Sequence, residues 1–395
     1  MDTRTVLENI RGISAGFSQD RTTRQRRRKL IQDDFDHLRD AGFLLTAVPV
    51  EQGGLWENVA RSTRPVSEIL RTLARGDSSV ALVSSMHPSV LVFWLATTHV
   101  PAPFEEAWEE QKRRIFQSAV DGSWWGTITS EPGSGGDIGR TQVVATPDPP
   151  GDRYRISGQK HFGSGSGITS YMITTAVPAG DADPDWFYLD MRGVPWDGSA
   201  GVTLMAEWDG HGMIGTQSHS MQFDSFPATR IAYPGQLLRL IDATGGAVAC
   251  FFTSVIVGIV EAAIDLARER LGSRHDSLRA YEQIEWARVE QEGWLILQAY
   301  EGMLRAIEEK GSAARDTLQG KTAIAELAES VLARICKIMG GGTYNRYAPF
   351  GFWFEDVRAL GFLRPPWGLA YENLYKGSWS PTTSLFTSGE PAKTR

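Results

Sequence analysis

The most constraining feature of this chain is the stretch from Gly126 to Gly235, whose patterning differs from everything before and after it. Short runs rich in β-branched and aromatic residues, alternating apolar and polar as in Tyr154-Arg155-Ile156, stand at Thr141-Gln142-Val143-Val144-Ala145, Tyr171 to Ala176 and Trp186 to Leu189. Turn residues separate them at Pro147 to Gly151 and at Ser157-Gly158. Alternation with a period of two between close turns predicts the strands of an antiparallel sheet. On both sides the period becomes helical. Leu70, Leu73, Ala74, Val80, Leu82, Val83 and Met86 precede the stretch, with breakers at Pro49, Gly53-Gly54 and Pro101 to Pro103; Ala323, Ile324, Leu327, Val331, Ile335 and Ile338 follow it. The expectation is an α+β chain: an N-terminal α-helical domain over residues 1–125, a middle antiparallel β domain over 126–236, and a C-terminal helical bundle over 237–395. No internal repeat is visible, and Thr382 to Arg395 has the weak patterning of a mobile tail.

Composition removes several function classes. A chain of 395 residues is too long for one core of ordinary size, so stacked layers are expected. A net charge of −7 leaves no footprint for nucleic acid, and none is expected as a partner. The dense basic run Arg24-Gln25-Arg26-Arg27-Arg28-Lys29 reads as a solvated helix face, because Asp33-Asp34-Phe35-Asp36 follows and can pair with it one turn on. Cys250 and Cys336 stand in apolar surroundings, which argues against a disulfide scaffold and any Cys-rich metal site and makes them core residues; no metal is expected. The longest apolar run, Ala247 to Val260, is cut by Glu261 and Asp265 short of a bilayer span and reads as a buried bundle helix. No apolar segment follows Met1, so neither a signal peptide nor a membrane is expected, and the expected location is cytoplasmic.

Two segments of the β stretch point to chemistry. Thr129-Ser130-Glu131-Pro132-Gly133-Ser134-Gly135-Gly136-Asp137 precedes Ser157-Gly158-Gln159-Lys160-His161-Phe162-Gly163-Ser164-Gly165. A glycine-rich turn exposes backbone N–H groups and lets a flat polar ligand approach the backbone. In this order and separation the segments resemble the middle domain of the acyl-CoA dehydrogenase family, where a Thr/Ser-Glu-Pro-Gly-x-Gly-Ser-Asp loop and a Gly-x-Lys-x-Trp-x-Thr/Ser strand hold the flavin. The resemblance extends to Leu38-Arg39-Asp40-Ala41-Gly42-Phe43 with Val48-Pro49-Val50-Glu51-Gln52-Gly53-Gly54, to Gly76-Asp77-Ser78-Ser79-Val80-Ala81 with Met86-His87, and to Met339-Gly340-Gly341-Gly342-Thr343-Tyr344. It covers nearly the whole chain, and the order helical, β, helical bundle is the family's architecture.

The resemblance implies an FAD-dependent oxidoreductase. Thr129, Ser130 and Gly135 fall in the flavin loop, Phe162 where the stacking Trp sits, and Ser164 where a hydroxyl meets flavin N5. Arg274 matches an arginine that reaches the flavin pyrophosphate across a subunit interface, and Gly340 and Gly341 let the adenine half approach the partner's backbone, so a homodimer or homotetramer is implied. Two departures stand out. Arg274 is followed by His275-Asp276-Ser277-Leu278 in place of the family's x-x-Phe-Gly, and Gly136 replaces the serine that contacts CoA.

The reaction stays open at this level. The broader motif coverage favours α,β-dehydrogenation of an acyl thioester, possible substrates including CoA thioesters, with hydride transfer to flavin N5 and a separate electron acceptor. That chemistry, on a CH–CH group, needs a carboxylate base. Glu355-Asp356 stands where the family has Arg-Asp, and Arg364 falls at the base position; Glu372, in Ala370-Tyr371-Glu372-Asn373, resembles a Tyr-Glu-Gly signature displaced by an insertion around Pro365-Pro366-Trp367-Gly368 and is the expected base. Val248 occupies the family's other base location. The alternative is the two-component flavin monooxygenase branch of the same fold, which carries Phe-x-Ser-Gly like Phe162-Gly163-Ser164-Gly165 and uses reduced FMN or FAD supplied by a flavin reductase for C-, N- or S-hydroxylation. There Ser164 and His87 would sit near flavin C4a and no carboxylate base is needed, although Leu360 and Leu363 replace a histidine typical of several such enzymes. A non-catalytic scaffold is the third class. His211 and His219 could at most line the cavity, and His161 alternates away from Phe162 if the strand is regular.

Overall fold

The computed structural model describes residues 1–149, 152–310 and 313–379; the stretch from Thr382 and the end of the Pro147 to Gly151 turn lie outside them. The chain opens with helices α1 (Thr3–Gln19), α2 (Arg21–Arg24), α3 (Gln32–Asp40), α4 (Val59–Ala74), α5 (Ser78–Ala96) and α6 (Ala102–Val120). Side-chain caps explain where three of them begin: Asp2, Asn58 and Asp77 each accept a backbone N–H of the first turn of α1, α4 and α5. Seven strands follow: β1 (Trp125–Thr127), β2 (Val144–Pro147), β3 (Arg153–Gly163), β4 (Tyr171–Pro178), β5 (Asp185–Asp190), β6 (Val202–Ala206) and β7 (His219–Arg230). Helices return as α7 (Leu237–Ala243), α8 (Ala247–Gly272), α9 (Ala280–Lys310), α10 (Ala314–Met339), α11 (Pro349–Val357), α12 (Ala359–Phe362) and α13 (Trp367–Ser378).

The strands close on themselves. β4 pairs with β2, β2 with β3, β3 with β7, β7 with β5 and β5 with β4, while β1 joins β4 and β6 joins β7 from outside the ring. The expectation of a wholly antiparallel domain is corrected, since β1 and β2 both run parallel to β4. The long connections that carry the glycine-rich loop allow this, because a parallel pair cannot be closed by a tight hairpin. β3 is also irregular, with register shifts at Ile156/Gly158 and Lys160/Gly163. A bulge re-aims side chains. Hence the strict alternation assumed for His161 and Phe162 fails at this end of the strand, and their rings meet at 6.2 Å.

The two helical regions share one hydrophobic core that runs from Val6 to Leu360. α8 lies at its centre, packed against α4, α5, α9, α10 and α11. A Cβ at Gly258 of α8 would stand 2.2 Å from the Arg71 carbonyl oxygen, so glycine is what lets α8 and α4 approach so closely. α5 and α8 are long and apolar enough to cross a membrane, yet 89% and 78% of their apolar windows are buried inside the protein. The basic run is corrected at one position. Arg24 alone of the run is buried, bonding Asp34 of the acidic segment (2.7 Å) and Asp77 (2.8 Å), while Arg26, Arg28 and Lys29 are exposed as expected.

Candidate active site

Isolated bridges pair Thr127 with Ser164 and Ser130 with His161, and the His161 N–H donates to the Ser130 carbonyl at 2.8 Å. The glycine-rich loop is thereby tied to the end of β3. Thr129, Ser130, Phe162 and Ser164 come together as their motifs imply, with Gly135 on the same loop and open space beyond its Cα. An ion pair supports the loop from beneath. Lys160 Nζ stands 2.5 Å from Glu131 Oε1 and 3.3 Å from Thr175 Oγ1, and Glu131 also accepts the Gln142 N–H at 2.7 Å. Lys160 is wholly buried, and that burial pulls its ammonium down to about 8 despite the carboxylate.

The bulge turns Phe162 outward at φ 58°, leaving it 53% exposed with its ring edge-on to Trp208 at 5.9 Å. Trp208 belongs to the loop over residues 207–218 between β6 and β7. Three contacts fix that loop. The Trp208 N–H donates to His219 Nδ1 at 2.9 Å, its indole Nε1–H donates to the Met213 carbonyl at 2.9 Å, and the Met213 N–H donates to Asp356 Oδ1 at 2.6 Å. Burial pushes the Asp356 carboxyl up to about 6 and lowers the His219 imidazole. From the same loop Ser218 Oγ meets Ser164 Oγ at 2.8 Å and Thr216 Oγ1 at 2.7 Å. An outward aromatic pair beside a glycine turn and a hydroxyl suits a flat ring with polar edges, so the residues fit a flavin.

A C-terminal segment closes over the loop. Arg364 donates from Nη1 to the Gly136 carbonyl at 2.9 Å and from Nη2 to Ser130 Oγ at 3.1 Å. Among the described residues no carboxylate lies within ion-pair distance of it, and burial lowers its guanidinium to about 10. Buried Lys321 donates to the Leu363 and Pro365 carbonyls at 2.7 and 2.6 Å, pinning the backbone on both sides of Arg364. A Cβ on Gly136, which has φ 81°, would stand 2.8 Å from Pro366 Cγ. Gly136→Ser is therefore expected to lower stability by about 1–3 kcal/mol in thermal or denaturant unfolding; an unchanged midpoint would mean that the proline does not hold this space.

Two expected catalytic residues are corrected. Glu372 lies on the outer face of α13, where it pairs with Lys376 one turn on and only Ala370 is buried, so it is not brought to the loop. His87 is wholly buried, its Nδ1 accepting the Trp125 N–H at 3.2 Å and its Nε2 facing the Leu44 carbonyl at 3.3 Å, which leaves neither nitrogen for a ligand. Arg274 donates to the Ile338 carbonyl at 3.3 Å, next to Gly340 and Gly341 at the end of α10. Those glycines line a cavity of ≈ 1120 Å³ with Arg26, His211, Tyr344 and Arg346. Thr216 and the Ser218 contact had no sequence signal beyond polar residues in a loop, and Lys321 none beyond a lysine within a helix.

The acyl-CoA dehydrogenase middle-domain family model matches residues 126–226. Dibenzothiophene monooxygenase of Mycolicibacterium goodii is 26% identical over 358 residues, 81% of each chain. FMN-bound TdsC of Paenibacillus sp. A11-2 superposes with a TM-score of 0.77 at 20% identity, over 95% of this chain and 96% of its own. Butyryl-CoA dehydrogenase of Megasphaera elsdenii superposes with a TM-score of 0.80 at 17% identity, over 95% and 97%. At such identities the two structures speak for the fold alone, which both share. The matched middle domain makes residues 126–226 a member of the acyl-CoA dehydrogenase middle-domain family, and over its whole length the chain is similar to the flavin-dependent oxidoreductases of that superfamily in sequence and fold.

Proposed function

We propose that the chain is the oxygenase component of a two-component flavin monooxygenase, in place of the acyl-CoA dehydrogenation that motif coverage favoured. The observation that carries this reading is the Arg364–Pro366 segment. At the position where a dehydrogenase needs a carboxylate it sets a guanidinium on Ser130, and a guanidinium that stays protonated at neutral pH cannot take a proton from carbon. Pro366 occupies the space of the family's CoA-contacting serine, while Glu372 is engaged at the surface. Among the described residues neither the expected base nor the CoA-contacting serine stands at the loop, and oxygen activation needs neither.

The flavin, when bound in its reduced form, supplies two electrons to O2, so that one oxygen atom enters the substrate and the other leaves as water while the flavin is oxidised. FMN is the proposed cofactor, following the FMN bound by TdsC, and a separate reductase is the proposed source of electrons. A small organic substrate with an oxidisable carbon, nitrogen or sulfur completes the set; a cytoplasmic homo-oligomer is proposed with it. Phe162 and Trp208 would cover the ring and exclude water, and Arg364 orients the Ser130 hydroxyl.

The test is spectroscopic. Anaerobic enzyme loaded with oxidised FMN is expected to keep its visible absorbance with every member of an acyl-CoA panel. Enzyme loaded with reduced FMN and mixed with oxygen is expected to regain that absorbance in more than one phase and more slowly than free reduced FMN. Bleaching by any acyl-CoA would overturn the proposal.

A further inference from the structure

We infer that Ser164, Ser218 and Thr216 form a one-way hydroxyl chain that selects reduced over oxidised flavin, an inference that rests on the proposal that this site takes flavin. The argument is a count of protons. Ser164 Oγ and Ser218 Oγ are 2.8 Å apart, Ser218 Oγ and Thr216 Oγ1 are 2.7 Å apart, and Thr216 Oγ1 lies 2.8 Å from the Met213 carbonyl oxygen. Each hydroxyl owns one proton, and a carbonyl oxygen can only accept. Thr216 must therefore donate to Met213, Ser218 to Thr216, and Ser164 to Ser218. No other arrangement makes all three bonds. Ser164 has then spent its proton inside the protein and offers only lone pairs to a ligand.

The surroundings hold this polarity. Thr216 is fully buried, with Ser164 and Ser218 6% and 8% exposed, so bulk water does not compete for the protons. The acceptor at the end of the chain is held in place by Asp356 on the Met213 N–H, and its oxygen, which can only accept, is shared with the Trp208 indole at 2.9 Å and the Thr216 N–H at 3.1 Å. The Gly165 N–H donates to the Thr216 carbonyl at 2.8 Å, and the Thr127 bridge holds Ser164. Reduced flavin carries a proton on N5 and needs an acceptor there, whereas oxidised flavin has a bare N5 and needs a donor. A dehydrogenase that starts from oxidised flavin calls for a donating hydroxyl at this point. Here the oxidised ring can be served only by breaking one bond of the chain. Thr216 and Ser218 are accordingly positioning residues, acting through Ser164.

The experiment compares the dissociation constants of oxidised and photoreduced FMN for the full chain under anaerobic conditions. One hydrogen bond of ordinary strength corresponds to roughly threefold to tenfold in affinity. The wild-type protein is expected to bind reduced FMN more tightly by at least that factor. Ser218→Ala, which leaves Ser164 free to donate outward, and the near-isosteric Thr216→Val, which frees Ser218, are each expected to lower the oxidised-to-reduced ratio by that factor. Ser164→Ala should lose the preference altogether. A wild-type ratio near one overturns the inference, as does an unchanged ratio in Ser218→Ala and Thr216→Val proteins that still bind FMN. Neither result depends on how the enzyme reacts with oxygen, so a failure of the monooxygenase reading is seen separately, in the spectral test above.

Discussion

Glu131→Gln is expected to destabilise the protein by about 3–5 kcal/mol, read as a fall in the urea or thermal midpoint. The carboxylate answers the Lys160 ammonium at 2.5 Å and the backbone N–H of Gln142 at 2.7 Å, in a place where the lysine is wholly buried and the carboxylate side chain only 5% exposed. Removing its charge leaves a buried cation without a partner. The loss is bounded because the lysine, already drawn down to about 8, can shed its proton and survive as a neutral amine. Replacing both partners should be milder than replacing one, so Glu131→Gln with Lys160→Met is expected to recover much of the loss. A single substitution that shifts the midpoint no more than a surface change would show that the pair does not support the loop. Because Ser130 is the neighbour of Glu131, the same single variant is expected to weaken FMN binding, while the double variant retains more of it.

Acid should unfold this protein through His87. Its imidazole is pushed down from the ordinary 6.5 to about 3, chiefly because burial disfavours the cation. Protonation of Nδ1 would also evict the Trp125 N–H that it accepts, at the junction between α5 and β1. The folded value lies below the unfolded one, so the contribution to stability is complete above pH 6.5 and is lost as pH falls toward 3. At the lower end the loss amounts to about 5 kcal/mol, at roughly 1.4 kcal/mol for each pH unit between the folded and unfolded values. Asp356 acts in the opposite sense. Its folded value near 6 lies above the ordinary 3.8, so its contribution is present below about pH 3.8 and disappears as pH rises through 6. The two slopes oppose each other over that window, and His87 is best isolated in an Asp356→Asn background. There His87→Gln, which keeps a neutral donor and acceptor, is expected to flatten the fall in stability below pH 6.5. An unchanged slope would assign acid lability elsewhere.

Much of the architecture was legible because burial imposes a period. The buried face of α10 repeats at Ile324, Val331, Ile335 and Ile338 as expected, although Ala323 is exposed, and β4 and β5 sit between the expected turns but are buried on both faces instead of alternating. The parallel pairings of β1 and β2 with β4 had no such signature, since period two is the same in both directions. Arg24 illustrates a different failure. Charge runs are read as solvated because isolated charges avoid burial; the pairing with Asp34 was expected, but only the fold added Asp77 and buried Arg24 between the two.

The site divides in the same way. The resemblance of the two motif segments implied that Thr129, Ser130, Phe162 and Ser164 would share one place, and bridges between segments more than thirty positions apart hold them there. Sequence also showed that Gly136 and Arg364 depart from the dehydrogenase pattern. What it could not decide was where the C-terminal segment lies: Glu372 looked like a base by its neighbours, yet the helix that starts at Trp367 turns it outward to Lys376. Only the tertiary structure brings Arg364 to Ser130 across more than 200 positions of chain and links Ser164 to Ser218 and Thr216. Contacts between distant segments depend on how whole layers pack, and a hydroxyl acquires its direction from the one acceptor the fold puts at the end of its chain.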